Sequence, residues 1–223
     1  MRLQEAADAL GVHYQTAYAW VRAGRLPARK VGRGYQVTDA DVRALSASRE
    51  RGSETAARAI VSRLAGHVSV TDMCDLVIAP ALRRVGDEWA AGRISVAREH
   101  RATAICERLI GACARPAAGR PRGVAVVATP PGERHGMPAL MAAACLREHR
   151  WQVHHLAADL PAAEIAGLAA QVGAGLVVLS TATTAGTRSA AAAADLVRTT
   201  TPTATVLTGR SGDTLAGLLK QAG

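Results

Sequence analysis

The feature that most constrains this chain is the alternation of short β-rich runs with Ala/Leu-rich helical patterns after residue 120. Strands that alternate with helices form β-α-β units, which build a parallel sheet covered by helices on both faces. We therefore expect an α/β domain over residues 120–223. Only four strand runs are recognisable, so a fifth strand is not expected. They are Val124–Ala128, Gln152–Leu156, Leu176–Leu179 and Ala204–Leu207.

The preceding part of the chain has helical rather than strand periodicity. Apolar residues recur at helical spacing over residues 52–116, which predicts a compact helical bundle. The polar run Ser46–Ser53 and the Pro/Gly-containing stretch at 116–122 predict linkers on either side, the first of them partly helical. The fold class is thus multidomain, α plus α/β, with domains at 1–51, 52–116 and 120–223. The apolar positions of the bundle are Ala57, Ile60, Val61, Leu64, Leu76, Val77, Leu82 and Val85.

The first domain has the pattern of a helix-turn-helix followed by a hairpin. Leu3–Leu10 is a short amphipathic helix, Gly11-Val12 is a tight turn, and His13–Ala23 is a second helix. We expect Ala17, Trp20 and Val21 to face inward, leaving the other face for base edges and phosphates. Tyr14 and Tyr18 could serve as contacts or in packing. The candidate DNA contacts are His13, Tyr14, Gln15, Thr16, Tyr18 and Arg22 on the helix, and Arg29, Lys30, Arg33 and Tyr35 on the hairpin.

Composition agrees with this pattern but does not establish it. The formal charge of +9 suits a polyanionic partner such as double-stranded DNA, although an Arg-rich background would give the same value. The four cysteines have no C-x-x-C spacing, so we expect small buried side chains rather than a metal or disulfide framework. No apolar run has the length of a signal peptide or a membrane span, so we expect a cytoplasmic protein without a membrane partner.

Two short strings carry the remaining polar chemistry. In the helical part, Trp89 ends one predicted helix and Ser95 caps the next, which brings an indole together with the Glu99-His100 pair. In the α/β part, Glu133-x-His135 follows the first strand, at the sheet edge where ligands of such folds bind. A histidine there can offer one ring nitrogen to a metal while a carboxylate holds the other N–H.

These strings resemble known families. Leu3–Leu45, and above all the passage Trp20–Pro27, resembles the MerR/excisionase class of winged helix-turn-helix. The spacing of Trp89, nine residues and Glu99-His100 resembles the helical cap of light-sensing, adenosylcobalamin-dependent repressors of the CarH and LitR type. The Glu133-x-His135 loop is similar to the motif that supplies the lower axial histidine to cobalt in Rossmann-like, flavodoxin-like cobalamin domains.

The resemblance implies a role for each matching residue. His135 would bind the cobalt of cobalamin, most simply adenosylcobalamin, and Glu133 would orient the ring. Trp89, Val96, Glu99 and His100 would line the upper face of the corrin. Ser180, Thr184 and Gly209 would receive the nucleotide tail, by a looser match.

The resemblance also implies a function, which is regulation rather than catalysis. We expect a repressor whose homo-oligomeric state, dimer or tetramer, and operator binding respond to adenosylcobalamin and light. This chain departs from the family pattern at Pro138 and Arg210, which stand where glycines are usual, and at Ala90, where some members have His. Two alternatives therefore stay open: a regulator whose sensor no longer binds cobalamin, and a corrinoid carrier for methyl transfer.

Overall fold

The computed structural model describes residues 1–10, 13–32, 34–64, 67–114, 118–210 and 213–222, without the side chains of 44–53, 60, 63 and 64. The chain folds as two compact units, Met1–Ile60 and Val61–Gly223. The predicted turn at Gly11-Val12 and the candidate DNA contact Arg33 lie outside the described residues. Within the described residues, no helix combines the length and apolarity that crossing a membrane requires.

The first unit contains the predicted helix pair and hairpin. Ala6, Ala7 and Ala17 are fully buried, and these small side chains let the two helices pack closely. Leu3, Leu10 and Leu26 complete the apolar core, to which Val37 and Val42 also contribute. The elements are α1 (Leu3–Ala9), α2 (Tyr14–Arg22), β1 (Arg29–Val31), β2 (Gly34–Gln36) and the first part of α3 (Asp39–Leu64), with β1 and β2 antiparallel.

Helix α3 begins where the sequence predicts and continues further than expected. Thr38 Oγ1 accepts a hydrogen bond from the Asp41 amide at 3.1 Å, as an N-cap should. The helix then runs for 26 residues, so the segment Ser46–Ser53, which we expected to be a partly helical linker, is helical throughout. The polar residues of this run do not break the helix, because the run contains no proline and includes the good helix formers Ala, Arg and Glu.

In the helical part of the second unit, the buried apolar residues differ from those that regular helical spacing predicts. A π-helical segment, Met73–Ile78, joins α4 (Val70–Asp72) to α5 (Ala79–Ala90), and α6 (Val96–Cys113) follows. Met73, Cys74 and Ile78 are buried, whereas Leu76 and Val77, which we expected in the core, are exposed. A π-turn holds more residues than an α-turn, so it rotates the apolar stripe away from regular helical spacing.

The rest of the second unit is the predicted α/β domain, and the fold class is confirmed. Its four strands are parallel in the order β4-β3-β5-β6, and the described residues contain no fifth strand. The central strands β3 and β5 are almost wholly buried, as expected when both faces are covered. The elements are β3 (Gly123–Ala128), α7 (Met137–Glu148), β4 (Trp151–His155), α8 (Ala162–Gln171), β5 (Leu176–Ser180), α9 (Thr184–Thr200), β6 (Thr205–Gly209) and α10 (Leu215–Gln221).

The strand order creates a switch point, where the connections diverge, at the carboxyl ends of the strands. From β3 the chain proceeds to the neighbouring strand on one side, β4, and then returns to β5 on the other side. In doubly wound sheets, ligands bind where the connections diverge, beyond the carboxyl ends of the strands. The loop at 129–136, after β3, and the loop at 181–183, after β5, therefore meet at this point.

Candidate functional site

Glu133 joins the two loops at the switch point of the sheet. Its side chain is 0 % exposed. Oε1 accepts hydrogen bonds from the backbone N–H of His135 at 2.9 Å and from its ring Nδ1 at 2.6 Å. Oε2 accepts from the amides of Ala182 at 2.8 Å and Thr183 at 2.9 Å, and from Thr183 Oγ1 at 2.9 Å. One buried carboxylate thus receives five donors from two loops.

These donors determine the charge of Glu133 and the tautomer of His135. Burial raises the pKa of Glu133, but hydrogen bonds from His135, Ala182 and Thr183 outweigh it and lower the pKa to about 2. The carboxylate is therefore ionised at neutral pH, so His135 Nδ1 carries a proton. In the neutral ring the lone pair is then at Nε2, and the side chain is 62 % exposed. His135 can offer this nitrogen to a metal outside the protein surface.

The carboxylate also lies at the start of a long helix. Thr183 caps the 17-residue α9 by accepting a hydrogen bond from the Gly186 amide at 3.0 Å. A Cβ atom at position 186 would lie 2.5 Å from Glu133 Oε2, so glycine makes room for the carboxylate. A negative charge is stabilised at a helix N-terminus, which helps to hold Glu133 ionised.

Further residues hold the loop after β3 in place. Thr129 Oγ1 donates to the Glu133 carbonyl at 3.0 Å and accepts from the Asp159 amide at 2.9 Å. Asp159 Oδ1 in turn accepts from the Gly132 amide at 2.7 Å, and its own φ of 62° places it in the left-handed region. The loop that carries His135 is therefore preorganised by contacts with the loop after β4.

Sequence reasoning missed several of these residues. It selected Thr184, which is exposed, whereas Thr183 binds Glu133 and Gly186 makes room for it. The hydroxyl-rich run Ser180–Thr184 was a signal, but only the start of α9 decides which hydroxyl points inward. Thr129 and Asp159 gave no signal, because they meet through two loops 30 positions apart.

The helical hairpin has the predicted form. Helix α5 ends at Ala90, Gly92 turns the chain with φ of 70°, and Ser95 Oγ caps α6 through the Arg98 amide. Two hydrogen bonds from Arg93 to Glu88, at 2.7 and 3.0 Å, brace the turn. Trp89 and Val96 are both exposed, at the end of one helix and the start of the next.

The Glu99-His100 pair of the hairpin repeats the chemistry of the sheet loop. Glu99 Oε2 lies 2.5 Å from His100 Nδ1, and Oε1 accepts from Thr103 Oγ1 at 3.0 Å. The Glu99 side chain is 26 % exposed and that of His100 is 75 % exposed. This pair therefore lies on the helix surface, accessible to a ligand.

The residues predicted for the nucleotide tail lie at the carboxyl ends of strands β5 and β6 and at the start of α9. Ser180 is the last residue of β5 and pairs in register with Gly209, the last residue of β6. Arg210 is exposed, and its amide donates to Asp213 at 2.8 Å. Pro138 is in the first turn of α7, where no amide donor is needed. A cavity of about 300 Å³ opens beside Gly209; Leu207, Thr208, Asp213, Thr214, Gly217, Leu218 and Gln221 also line it.

The helix-turn-helix surface separates into contact candidates and packing residues. Tyr14, Tyr18 and Tyr35 are half-buried against the core, with ring centroids 6.3 and 5.8 Å apart in successive pairs. Of the two alternatives for Tyr14 and Tyr18, this arrangement favours packing. The exposed candidates are His13, Gln15, Thr16, Arg22, Arg29 and Lys30.

Comparison with family models accounts for nearly the whole chain. Residues 1–49 match a helix-turn-helix domain. Residues 42–114 and 123–216 match two families, each described as a B12 binding domain. The chain therefore combines one region that matches a helix-turn-helix domain with two regions that match B12 binding domains.

Two individual proteins refine this assignment. The chain is similar to the HTH-type transcriptional repressor CarA of Myxococcus xanthus, with 35 % identity over 116 residues, or 51 % of this chain. That match covers 38 % of CarA, so the chain spans about two fifths of the length of this relative. The monomethylamine corrinoid protein of Methanosarcina barkeri superposes with a TM-score of 0.56 and 17 % identity, covering 69 % of this chain and 75 % of that one. This second likeness is one of fold.

Proposed function

We propose that the chain is a cytoplasmic transcriptional regulator, not an enzyme, whose binding to double-stranded DNA responds to cobalamin. The observation that carries this proposal is the Glu133–His135 pair, which exposes one imidazole lone pair at the ligand-binding edge of the sheet. The helix-turn-helix match in the same chain supports a link between that site and DNA. The similarity to the repressor CarA supports repression as the outcome.

The residues present fit a corrinoid. His135 would bind cobalt through Nε2, and Glu133 would keep the ring oriented, as outer partners of metal-bound histidines do. Trp89 and Val96 offer exposed apolar surface, and Glu99 and His100 offer polar groups, which together suit the upper face of a large macrocycle. Ser180, Thr184 and Gly209 would receive the nucleotide tail. Bound adenosylcobalamin would supply a cobalt–carbon bond that light can break.

Regulation would follow from linkage between ligand binding and assembly. A ligand changes an assembly equilibrium only if it binds one state more tightly than the other. We propose that adenosylcobalamin favours a homo-oligomer, a dimer or tetramer, that binds the operator with several helix-turn-helix domains. Each domain would contribute its exposed cations, among them Arg22, Arg29 and Lys30, to phosphate contacts.

One experiment tests the ligand and the response together. Purified protein is mixed with adenosylcobalamin in the dark, passed through gel filtration with absorbance and mass detection, and measured again after illumination. We expect the chromophore to elute with the protein and the mass and DNA affinity to change with light. DNA binding without a retained chromophore would favour a sensor that has lost cobalamin. A retained chromophore without DNA binding would favour a corrinoid carrier.

DNA binding has its own test. Arg22→Ala should lower the affinity for DNA and flatten its dependence on salt, because binding with one phosphate contact fewer releases fewer counterions. Arg198→Ala is the matched control, since Arg198 is an exposed arginine on α9 that pairs with Asp195. Equal behaviour of the two variants would contradict the proposed role of α2.

A further inference from the structure

The helix from Val70 to Ala90, called the cap helix below, and the α/β domain, called the sheet domain below, each provide one carboxylate that caps a helix of the other. We call the contact that these two carboxylates form the seam. Glu148, the last residue of α7, accepts hydrogen bonds from the amides of Val70 at 2.7 Å and Thr71 at 3.3 Å. Thr71 Oγ1 lies 3.5 Å from the same carboxylate. A side chain of the sheet domain therefore satisfies amides at the start of the cap helix, which would otherwise lack partners.

The second carboxylate belongs to the cap helix and caps a helix of the sheet domain. Asp75, in the π-helical segment of the cap, accepts hydrogen bonds from the amides of Leu215 at 3.0 Å and Ala216 at 3.2 Å. These are the first two residues of α10 in the sheet domain. Two amides of the cap helix thus bind a carboxylate of α7, and within the same turn a carboxylate of the cap helix binds two amides of α10. The π-helical segment sets the position of Asp75, because its extra residue changes the helix phase.

Apolar packing seals the seam between these two contacts. Cys74 on the cap and Cys145 on α7 are buried, and Thr71 is also buried. The hydrogen bond with Cys74, together with burial, raises the pKa of the Cys145 thiol far above its ordinary value, so it stays protonated. Hydrogen bonds that end on charged groups are stronger than those between neutral groups.

The seam lies at the base of the helix that ends with Trp89. The cap helix runs without a break through α4, the π-helical segment and α5, from Val70 to Ala90. At 1.5 Å per residue, Trp89 is about 28 Å from the base. A rotation of about 10° at the base would move the indole by about 5 Å along the arc of this lever. Small changes at the seam are therefore magnified at Trp89.

We propose that Asp75 and Glu148 are positioning residues that fix the angle of the Trp89 helix against the domain that carries His135, and thereby set the affinity for cobalamin. The inference rests on the proposed function for its ligand. Neither carboxylate belongs to the surfaces assigned to cobalamin above. Asp75 could act on affinity through the Trp89 helix or through α10, which lies beside Gly209, and the double-mutant cycle below separates these two routes.

The first test needs no ligand. Hydrogen exchange is compared between the ligand-free protein, the double variant Asp75→Ala/Glu148→Ala and the control Asp72→Ala, which removes an exposed carboxylate from the same turn. In the double variant we expect at least tenfold faster exchange for amides of α5 and the start of α6, with β3 and β5 unchanged. If the double variant does not fold, Asp75→Asn, which keeps one acceptor oxygen, should show a smaller effect in the same amides. Unchanged exchange would overturn the proposal.

The second test asks whether the effect passes through the indole. Adenosylcobalamin affinity is measured in the dark for the wild type, Asp75→Ala, Trp89→Ala and the combined variant Asp75→Ala/Trp89→Ala. These four proteins form a double-mutant cycle. We expect Asp75→Ala to lower affinity about tenfold when Trp89 is present and less than twofold when it is absent. Equal losses in both backgrounds would overturn the link to Trp89. A wild type that binds no cobalamin would refute the proposed function, while hydrogen exchange would still decide whether the seam holds the cap.

Discussion

The two Glu–His pairs of this chain have similar geometry but different surroundings. Glu133 and His135 approach to 2.6 Å in the sheet loop, and Glu99 and His100 approach to 2.5 Å on α6. Glu133 is completely buried and receives five donors, whereas Glu99 is partly exposed and contacts His100 and Thr103. In each pair the carboxylate holds Nδ1 and leaves the imidazole mostly exposed.

The difference in surroundings determines how firmly each carboxylate can hold its imidazole ring. Glu133 cannot turn without breaking hydrogen bonds to two loops, so it holds the His135 ring in one orientation. Glu99 can move toward solvent at little cost, because exposed ion pairs contribute on the order of 0–1 kcal/mol. Under the proposed function, His135 would therefore hold cobalt in a fixed orientation, and His100 would make an adjustable contact. The comparison can be tested by treating the two pairs identically.

The largest expected difference is in ligand retention. His135→Ala should lower adenosylcobalamin affinity by more than about a hundredfold, since losing only an outer partner of a metal-bound histidine costs roughly 10–100-fold. His100→Ala should cost less than about tenfold, because it removes a peripheral contact. Dark titrations followed by absorbance measure both, and the His135 variant should also lose the spectral signature of an imidazole bound to cobalt. Equal losses would contradict the assignment of the two roles.

The next difference is in stability without ligand. Glu133→Gln places an amide NH₂ against the buried donors of Ala182, Thr183 or His135, so the free energy of unfolding should fall by about 3 kcal/mol. Glu99→Gln, on a helix surface, should change it by less than about 0.5 kcal/mol. Urea unfolding of both variants gives the comparison. A neutral Glu133→Gln would mean that the charge of this carboxylate is not needed.

Acid should affect the buried pair in a defined direction. The folded-state pKa of Glu133 is about 2, lowered from 4.5, so the unfolded chain binds more protons between these values. Stability from this group is present above about pH 5 and is lost as the pH falls toward 2, by up to about 3 kcal/mol. Urea unfolding of the wild type and Glu133→Gln across this range should show a slope in the wild type that the variant lacks. Parallel profiles would contradict this linkage.

The two pairs also show how far the sequence could predict the site. The strand–helix alternation was sufficient for the sheet and for the position of the Glu133-x-His135 loop, because both follow from local periodicity and topology. The Ser95 cap and the turn at Gly92 were equally local signals. What the sequence could not supply was the burial of Glu133 and the number of its hydrogen-bond donors, which together separate it from Glu99.

The remaining errors have specific physical origins. Leu76 and Val77 were assigned to the core because regular helical spacing was assumed, and the π-helical segment changes that spacing. The run Ser46–Ser53 was expected to be only partly helical because it is polar, but polarity does not prevent a helix. Thr183 and Asp159 act through contacts between distant loops, and a single sequence carries no pattern for such contacts.

The smallest expected effect comes from a single methyl group beside Glu133. Gly186→Ala would place a Cβ atom 2.5 Å from Oε2 and 3.0 Å from Cβ of Glu133, and the five donors prevent the carboxylate from withdrawing. We expect a net loss of about 1–3 kcal/mol in the free energy of unfolding, as for other overpacked sites. Gly167→Ala on α8 is the control, because a Cβ there meets nothing within 4 Å and should stabilise the helix by up to about 1 kcal/mol.

A double variant that adds the methyl group and removes the carboxylate tests whether the methyl group acts on Glu133. In a Glu133→Ala background, Oε2 is absent and only the Cβ contact remains, so Gly186→Ala should lose most of its cost. Urea unfolding of the wild type, the two single variants and the double variant gives this coupling energy. A cost that persists in full without the carboxylate would show that the methyl group strains the helix itself, and that Gly186 is not what lets Glu133 lie at the start of α9.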